Sequence, residues 1–203
     1  MIRQIVLPGE KVDARDRQDT YTDHGTVYSK VVGLYDKQGG TIIPLEGAYV
    51  PHIGDDIVGI INSERNGVYD IDIQHFDRCL LISDRHEELM ERGEVISATI
   101  RDIENKNTLI VEMPRMLNGG VLIHIKPTKI PRVIGKNDTM ARMISTNTGT
   151  RIVVGMNGLI WLSGGDVTHA IEALLRVERE AHVEGLTNRI KIMLEEWKNS
   201  TQG

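Results

Sequence analysis

A chain of 203 residues with 40% apolar content carries enough hydrophobic mass for one or two ordinary packed domains, or three small ones, and its net charge of −5 argues against a generic polyanion binder. No run approaches the roughly 18 uninterrupted apolar residues of a membrane helix, and Pro8 interrupts the opening MIRQIVLPGE before it forms a secretory core, so a cytoplasmic protein with no membrane partner is expected. Cys79 is the only cysteine, which excludes an internal disulfide and a CxxC zinc ribbon.

After Val6-Leu7-Pro8-Gly9-Glu10, residues 11–24 are polar and without period, which predicts an exposed loop. Strands are predicted over Thr26–Tyr35 and Thr41–Leu45, joined through Asp36-Lys37-Gln38-Gly39-Gly40, whose two glycines suit a hairpin turn. Residues 1–53 then form a small β domain, short of the roughly 60 residues at which a core sustains itself, so it should lean on a neighbour.

From Gly54-Asp55-Asp56 onward, strands are predicted over Ile57–Asn62, Val68–Ile73, Phe76–Ile82, Glu94–Ile103 and Thr108–Met113, with a helical turn over Asp84–Arg92. Five short strands with an insertion after the third is the order of an OB-fold barrel, here spanning residues 54–127. Alternation puts Tyr69, Ile71 and Ile73 on one face and Val68, Asp70 and Asp72 on the other. The stretches GDDIVGIINSERNGVYDIDI, CLLIS and GEVISATIRDI resemble the RNA-binding OB domain named after ribosomal protein S-one. Asp70 and Leu81 stand where such domains often carry an aromatic and a histidine. Arg65, Phe76 and Arg78 remain as RNA-binding candidates on this domain, with a core position the stronger expectation for Phe76.

Residues 128–203 close the chain with an α/β pattern. Arg132–Trp161 runs from an apolar segment through a Gly-Lys loop into a helix with Met140, Met143 and Ile144 on one face, then a Thr-Gly stop and a β-rich run. That outline resembles an RNA-binding KH module. A glycine at 135 lets backbone approach a phosphodiester, Lys136 brings charge, and the next helix presents free N–H groups. The usual Gly-x-x-Gly loop ends here in Asp138, which is expected to act as N-cap of the helix starting at Thr139. Beyond Trp161, Asp166 should cap a helix burying Ile171, Leu174, Leu175 and Val177 and ended by Gly185. A last helix from Thr187 aligns Ile190, Met193, Leu194 and Trp197, and an unpartnered Trp197 would be an exposed apolar spot.

Charge is unevenly spread: residues 54–112 hold 14 acids against 6 Lys or Arg, whereas 113–165 hold Arg115, Lys126, Lys129, Arg132, Lys136, Arg142 and Arg151 against Asp138 alone. This basic stretch coincides with the KH-like motif. It makes Arg115, Lys126, Arg132, Gly135, Lys136, Asn137 and Arg142 the further RNA-binding candidates. No enzyme signature is found: the 7 histidines are scattered, His86-Glu87-Glu88 lacks a second histidine at the zinc-protease spacing, and there is no Walker A loop. No catalytic residue, metal site or cofactor is expected.

An N-terminal β domain with Leu7-Pro8-Gly9-Glu10, an S-one-type OB domain and a single KH module containing Gly155-Met156-Asn157-Gly158 and Ile160-Trp161 together resemble the KH-containing RNA-binding cap subunit of the archaeal exosome. The resemblance spans essentially the full chain. It implies a multi-domain, mainly β plus α/β fold and a non-catalytic component. Such a subunit binds RNA and delivers it to a hexameric ring of phosphorolytic subunits, raising RNA binding and the efficiency of 3′-to-5′ degradation. Ring docking through the N-terminal domain, and a homotrimer or a mixed trimer with a zinc-ribbon cap subunit, are implied as well. The same resemblance makes Gly155, Asn157, Gly158 and Trp161 a structural element that holds the KH module against the OB domain. Two other classes stand beside it. A stand-alone transcription-antitermination or translation factor of OB/KH type would need a second KH module, for which residues 166–203 hold too few strands. A phosphorolytic nuclease would need a phosphate-binding constellation.

Overall fold

The structure, a computed structural model, describes residues 3–14, 19–45, 47–83, 90–104, 107–181, 183 and 185–200. The chain divides into two compact units, Met1–Ala48 and Tyr49–Gly203.

In the first unit, β1 (Arg3–Val6), β4 (Gly33–Asp36) and β5 (Thr41–Pro44) make an antiparallel sheet in the order β1-β4-β5, while β2 (Thr20–Asp23) and β3 (Thr26–Ser29) form a separate hairpin. Val6, Val12, Tyr35 and Ile42 are its core. The polar run 11–24, expected as loop, therefore contains a strand. His24 and Gly25 both take positive φ, +45° and +79°, which is the two-residue turn that matches strand twist, and it sets Tyr21 opposite Tyr28 with ring centroids 5.3 Å apart. The strand expected over Thr26–Tyr35 is broken after Ser29, whose hydroxyl donates to Val31 O (2.7 Å) and accepts from the Val31 amide (3.3 Å), turning the chain. At the other expected hairpin, Asp36 accepts from the Gln38 and Gly40 amides and closes the turn as the glycines suggested.

The second unit opens with a closed five-stranded barrel: β6 (Asp56–Arg65), β7 (Val68–Asp72), β8 (Arg78–Ile82), β9 (Val95–Glu104) and β10 (Thr108–Met116), in the order β10-β8-β7-β6-β9. Closure is by a parallel pairing of β10 with β8, from Thr108 opposite Arg78 to Val111 opposite Leu81. This is the OB-type barrel. Alternation behaves as expected, with Tyr69, Ile71 and Ile73 inside and Asp72 outside. They join Ile57, Ile61, Cys79, Leu81, Ile96, Ile100 and Leu109 in one core. Phe76, expected there, is 82% exposed, because the strand starts at Arg78 and Phe76 lies in the loop before it. Of the helical turn expected over Asp84–Arg92, residues 84–89 lie outside the described residues, and 90–92 are irregular.

The barrel is followed by β11 (Val121–His124), a 3-10 turn at Pro127–Lys129, α1 (Ile130–Ile134), α2 (Thr139–Thr148), β12 (Arg151–Val154), β13 (Leu159–Ser163), α3 (Val167–Glu180) and α4 (Leu186–Ser200). The sheet order is β11-β13-β12, all antiparallel, so β11, N-terminal to position 127, belongs to this C-terminal sheet. Central β13 has two buried faces. Ile160 and Leu162 pack under the helices with Ile130, Val133, Ile144 and Leu174, whereas Leu159 and Trp161 pack with Val58 and Leu117 of the barrel side. Burial on both faces accounts for the unbroken apolar run LIWL.

Asp166 caps α3 as expected, accepting from the His169 amide at 3.0 Å, and that side-chain and backbone hydrogen bonding from His169 holds its carboxyl below the usual range. Two details of the helices differ from expectation. The buried stripe of α3 is Ala170, Ala173, Leu174 and Val177, so Leu175 is turned outward at 39% exposure. The helix stops at Glu180, whose carboxylate takes hydrogen bonds from Arg176 and Arg189 (2.9 Å each) and so ties α3 to α4 before Gly185 is reached. Trp197 is half-buried against the core, its ring 4.3 Å from that of His169, so the last helix packs on its own domain. Among the described residues no helix is long and apolar enough to cross a membrane.

Cys79 lies in the barrel core at 1% exposure, and burial, with a smaller contribution from the Asp70 charge, pushes its thiol up to about 12 from an ordinary 9.0. The folded state thus favours the protonated thiol. The stability this confers is complete below the ordinary value and is lost as pH rises from there toward about 12. A thiol reagent at pH 8 should label native protein slowly and urea-unfolded protein promptly; equal rates would show that the barrel does not shield this side chain.

Candidate nucleic-acid interface

The motif Gly155-Met156-Asn157-Gly158 forms the turn between β12 and β13, and it is built against the barrel. Asn157 is 3% exposed. Its Nδ2 donates to Val58 O (2.8 Å) and Ile73 O (2.9 Å), while Oδ1 accepts from the Val58 amide (3.1 Å). The Met156 amide donates to Asp56 O at 2.8 Å. These groups are available because β6 pairs with β7 only from Ile60 onward, which leaves the first half of that β6 edge without a strand partner. The turn occupies the gap as a surrogate strand.

The glycines are required by this closeness. A Cβ on Gly155 would collide with Asn157 Oδ1 and come within 2.6 Å of the Val58 nitrogen; one on Gly158, at φ +93°, would strike the Ile125 carbonyl. Three residues further on, Trp161 donates from Nε1 to Gly119 O (2.7 Å), and the Arg151 guanidinium lies 5.5 Å from its ring centroid. Gly155, Asn157, Gly158 and Trp161 are thus interior. None offers a surface to RNA.

The charged candidates are at the surface but do not form one cluster. Arg65 ends β6 beside the Asn66-Gly67 turn, at the opposite end of β7 from Phe76. Arg78 opens β8, 68% exposed, and pairs with Asp70 at 3.1 Å. Arg115 lies exposed on β10, and Lys126 follows β11 with its backbone amide donating to Glu178 Oε1 at 2.8 Å.

Around the α1–α2 loop, Arg132, Lys136, Asn137 and Arg142 are exposed and come from adjacent turns. Gly135 ends α1 at φ +76°, and the next two positions the chain could have filled with glycine, Asn137 and Asp138, are left-handed at φ +52° and +59°. Asp138 occupies the N-cap position of α2 without making a side-chain cap bond, which corrects the expected role. Its left-handed backbone turns the carboxylate away, and the Thr139 hydroxyl instead donates to Lys136 O at 2.8 Å.

Behind this loop a groove of about 550 Å³ runs between α2, β12 and the barrel segment Gly54–Asp56. Ile134, Ala141, Ile152 and Met156 supply apolar walls. Its charged lining is Asp55, Asp56 and Asp138 against Arg142. The single-acid count for residues 113–165 is thereby reversed by folding, since Asp55 and Asp56 arrive from about eighty positions upstream. Both carboxylates have structural partners: Asp55 accepts from the Tyr49 hydroxyl (2.6 Å) and the His52 amide (3.0 Å), and Asp56 from the Thr99 hydroxyl (2.6 Å). Burial, and then that bond to Asp55, push the Tyr49 hydroxyl far above its usual value. Only the pairing of strands could have revealed these acids as groove residues. Among the described residues no group of three His, Cys, Asp or Glu side chains is placed to hold a metal ion.

Comparison with known proteins bears on this arrangement. A family model described as KH domain matches residues 120–168. The chain is 35% identical to the exosome complex component Rrp4 of Thermococcus kodakarensis, over 95% of this chain and 85% of that protein. To the same component of Picrophilus torridus it is 34% identical, over 100% of this chain and 96% of that one. A crystal structure provisionally described as an exosome complex RNA-binding protein superposes with a TM-score of 0.66 at 26% identity, covering 77% of this chain and 100% of that one.

Replacing Asn157 with Ala would leave one buried donor and two buried acceptors unpaired, at an expected cost of about 2–4 kcal/mol in urea denaturation. Asn157→Asp should be no better, because a carboxylate can replace the acceptor but neither donation. A stability within error of the parent for both variants would remove the turn from any part in joining barrel and sheet.

Proposed function

The chain belongs to the family of exosome complex component Rrp4, and from that membership we propose that it is a non-catalytic component of an exosome that binds RNA and delivers it to a phosphorolytic ring. The carrying observation is near full-length similarity, 34–35% identity across 95–100% of the chain, to proteins named as that component, on a chain that holds both an OB-type barrel and a KH match. In this reading residues 1–53 dock on the ring, 54–127 and 128–203 face RNA, and three copies, alone or mixed with a zinc-ribbon subunit, crown a hexamer whose other chains cut the RNA. The runner-up, a stand-alone OB/KH factor, would call for a second KH module; beyond β13 the described residues carry two helices, α3 and α4.

Electrostatics decides where the phosphates go. Three carboxylates against one guanidinium make the groove behind the α1–α2 loop hostile to a phosphodiester. RNA therefore runs over the outer side of the loop, where Arg132 and Lys136 meet solvent. Arg65 and Arg115 add contacts from the barrel. Each contact is weak alone, and a trimer multiplies it by raising effective concentration at the ring entrance.

Lys136→Ala and Arg65→Ala should each weaken oligoribonucleotide binding and lower the salt dependence by about 0.7–1 in the log–log slope. Unchanged affinity and slope at low and moderate salt would discharge those two residues. The isolated chain should release no nucleoside diphosphate from RNA with or without added phosphate, and ring subunits should accompany a tagged copy from its source cells. Phosphate-dependent release by the pure protein would favour a nuclease, and recovery of RNA polymerase or ribosomes in place of a ring would favour the stand-alone factor.

A further inference from the structure

The loop between β7 and β8, residues 73–77, presents the only phenylalanine of the chain to solvent. At 82% exposure Phe76 loses most of the burial such a ring would gain inside, yet it is firmly supported from beneath. The His75 ring lies at 4.2 Å centroid distance and a 32° tilt. His75 and Asp77 have side chains only 5% and 7% exposed. The Asp77 amide donates to His75 Nδ1 at 3.2 Å, Asp77 Oδ2 lies 3.3 Å from the same nitrogen, and Nε2 lies 3.0 Å from Tyr49 O. The Tyr49 ring meets the imidazole edge-on at 5.9 Å. The loop entry is fixed as well, since the Gln74 amide donates to Asp72 Oδ1 (2.8 Å) at a left-handed φ of +56°. Among the described residues Asp77 Oδ1 is buried without a hydrogen-bond partner, a cost the loop bears while holding the aromatic outward.

From this built support we infer that Phe76 is a stacking platform for an unpaired base of single-stranded RNA, with His75 as the positioning residue that holds it. The inference rests on the RNA-binding reading and adds a site to it. A base needs one aromatic face, and Phe76 provides one with polar, exposed Gln74 and Arg78 on either side. Carboxylates surround the platform: Asp72 is exposed, Asp77 is buried, and Asp70 is taken up by Arg78. The contribution is therefore carried by the base and not by phosphate, and it is insensitive to salt.

The test compares oligo(A) with an abasic oligomer of equal length on the full chain. Phe76→Ala should weaken oligo(A) binding about 5- to 150-fold at every salt concentration and leave abasic binding unchanged. His75→Ala should reproduce that selective loss, and the double variant should lose no more than either single one. Phe76→Trp should keep the affinity and show fluorescence quenching by oligo(A) but not by the abasic oligomer. Parental oligo(A) affinity in Phe76→Ala would overturn the platform while leaving RNA binding intact, and the same variant failing only in co-assembly with ring subunits would reassign Phe76 to a protein contact. Loss of abasic binding in His75→Ala would show general damage and overturn its positioning role. A parent chain that binds neither oligomer would overturn both this site and the function it rests on.

Discussion

The three hydrogen bonds between Asn157 and the backbone of Val58 and Ile73 are the constraint on which the second unit depends. A barrel strand with an unpaired half-edge and a three-stranded sheet with an apolar outer face are each incomplete alone. Asn157 satisfies the edge, and Trp161, Leu159, Val58 and Leu117 close the apolar seam beside it. Polar satisfaction and hydrophobic burial thus act across one junction, and removing the polar part would strand buried backbone groups in a dry interface. The cost of a mistake there exceeds the worth of any surface ion pair in the chain.

That junction also shapes the electrostatics. Seating the turn on β6 brings Asp55 and Asp56 to the mouth of the groove beside α2, so the charged part of its otherwise largely apolar lining is mainly acidic. The cations that remain free to meet phosphate lie on the exposed loop and on the barrel surface. A net-negative chain thus carries dispersed surface cations and one supported, exposed aromatic.

Most of the architecture was legible from residue order. Alternation in VYDIDI, the glycine-bounded strands of residues 54–113 and the helix signals around Met140 to Ile144 all carry local periodicity, and local periodicity survives folding. What escaped was non-local or short. The β2–β3 hairpin hides in a polar run because its pairing is set by the His24-Gly25 turn and not by an apolar pattern. In α3, Leu174 and Val177 were placed correctly, but Ala170 and Ala173 were left out of the stripe in favour of Leu175, because alanines contribute close packing more than hydropathy. Phe76 was expected inside because the strand was drawn from Phe76 to Ile82, whereas the start of β8 at Arg78 leaves it in a loop. Asp138 looked like a cap from its residue type, and its left-handed backbone withholds the side chain from that task. The acid lining of the groove is the clearest case, since no window of sequence contains both Asp56 and Arg142.

The most direct measurement is amide hydrogen exchange of the native chain, followed at Val58 and Ile160. Val58 donates to Asn157 and not to a neighbouring strand, whereas Ile160 lies in the middle of the C-terminal sheet. If barrel and sheet open as one body, both amides should exchange with the same high protection, and Asn157→Ala should lower it at Val58 first. Rapid exchange at Val58 in the parent protein, with Ile160 still protected, would contradict a junction held by that side chain.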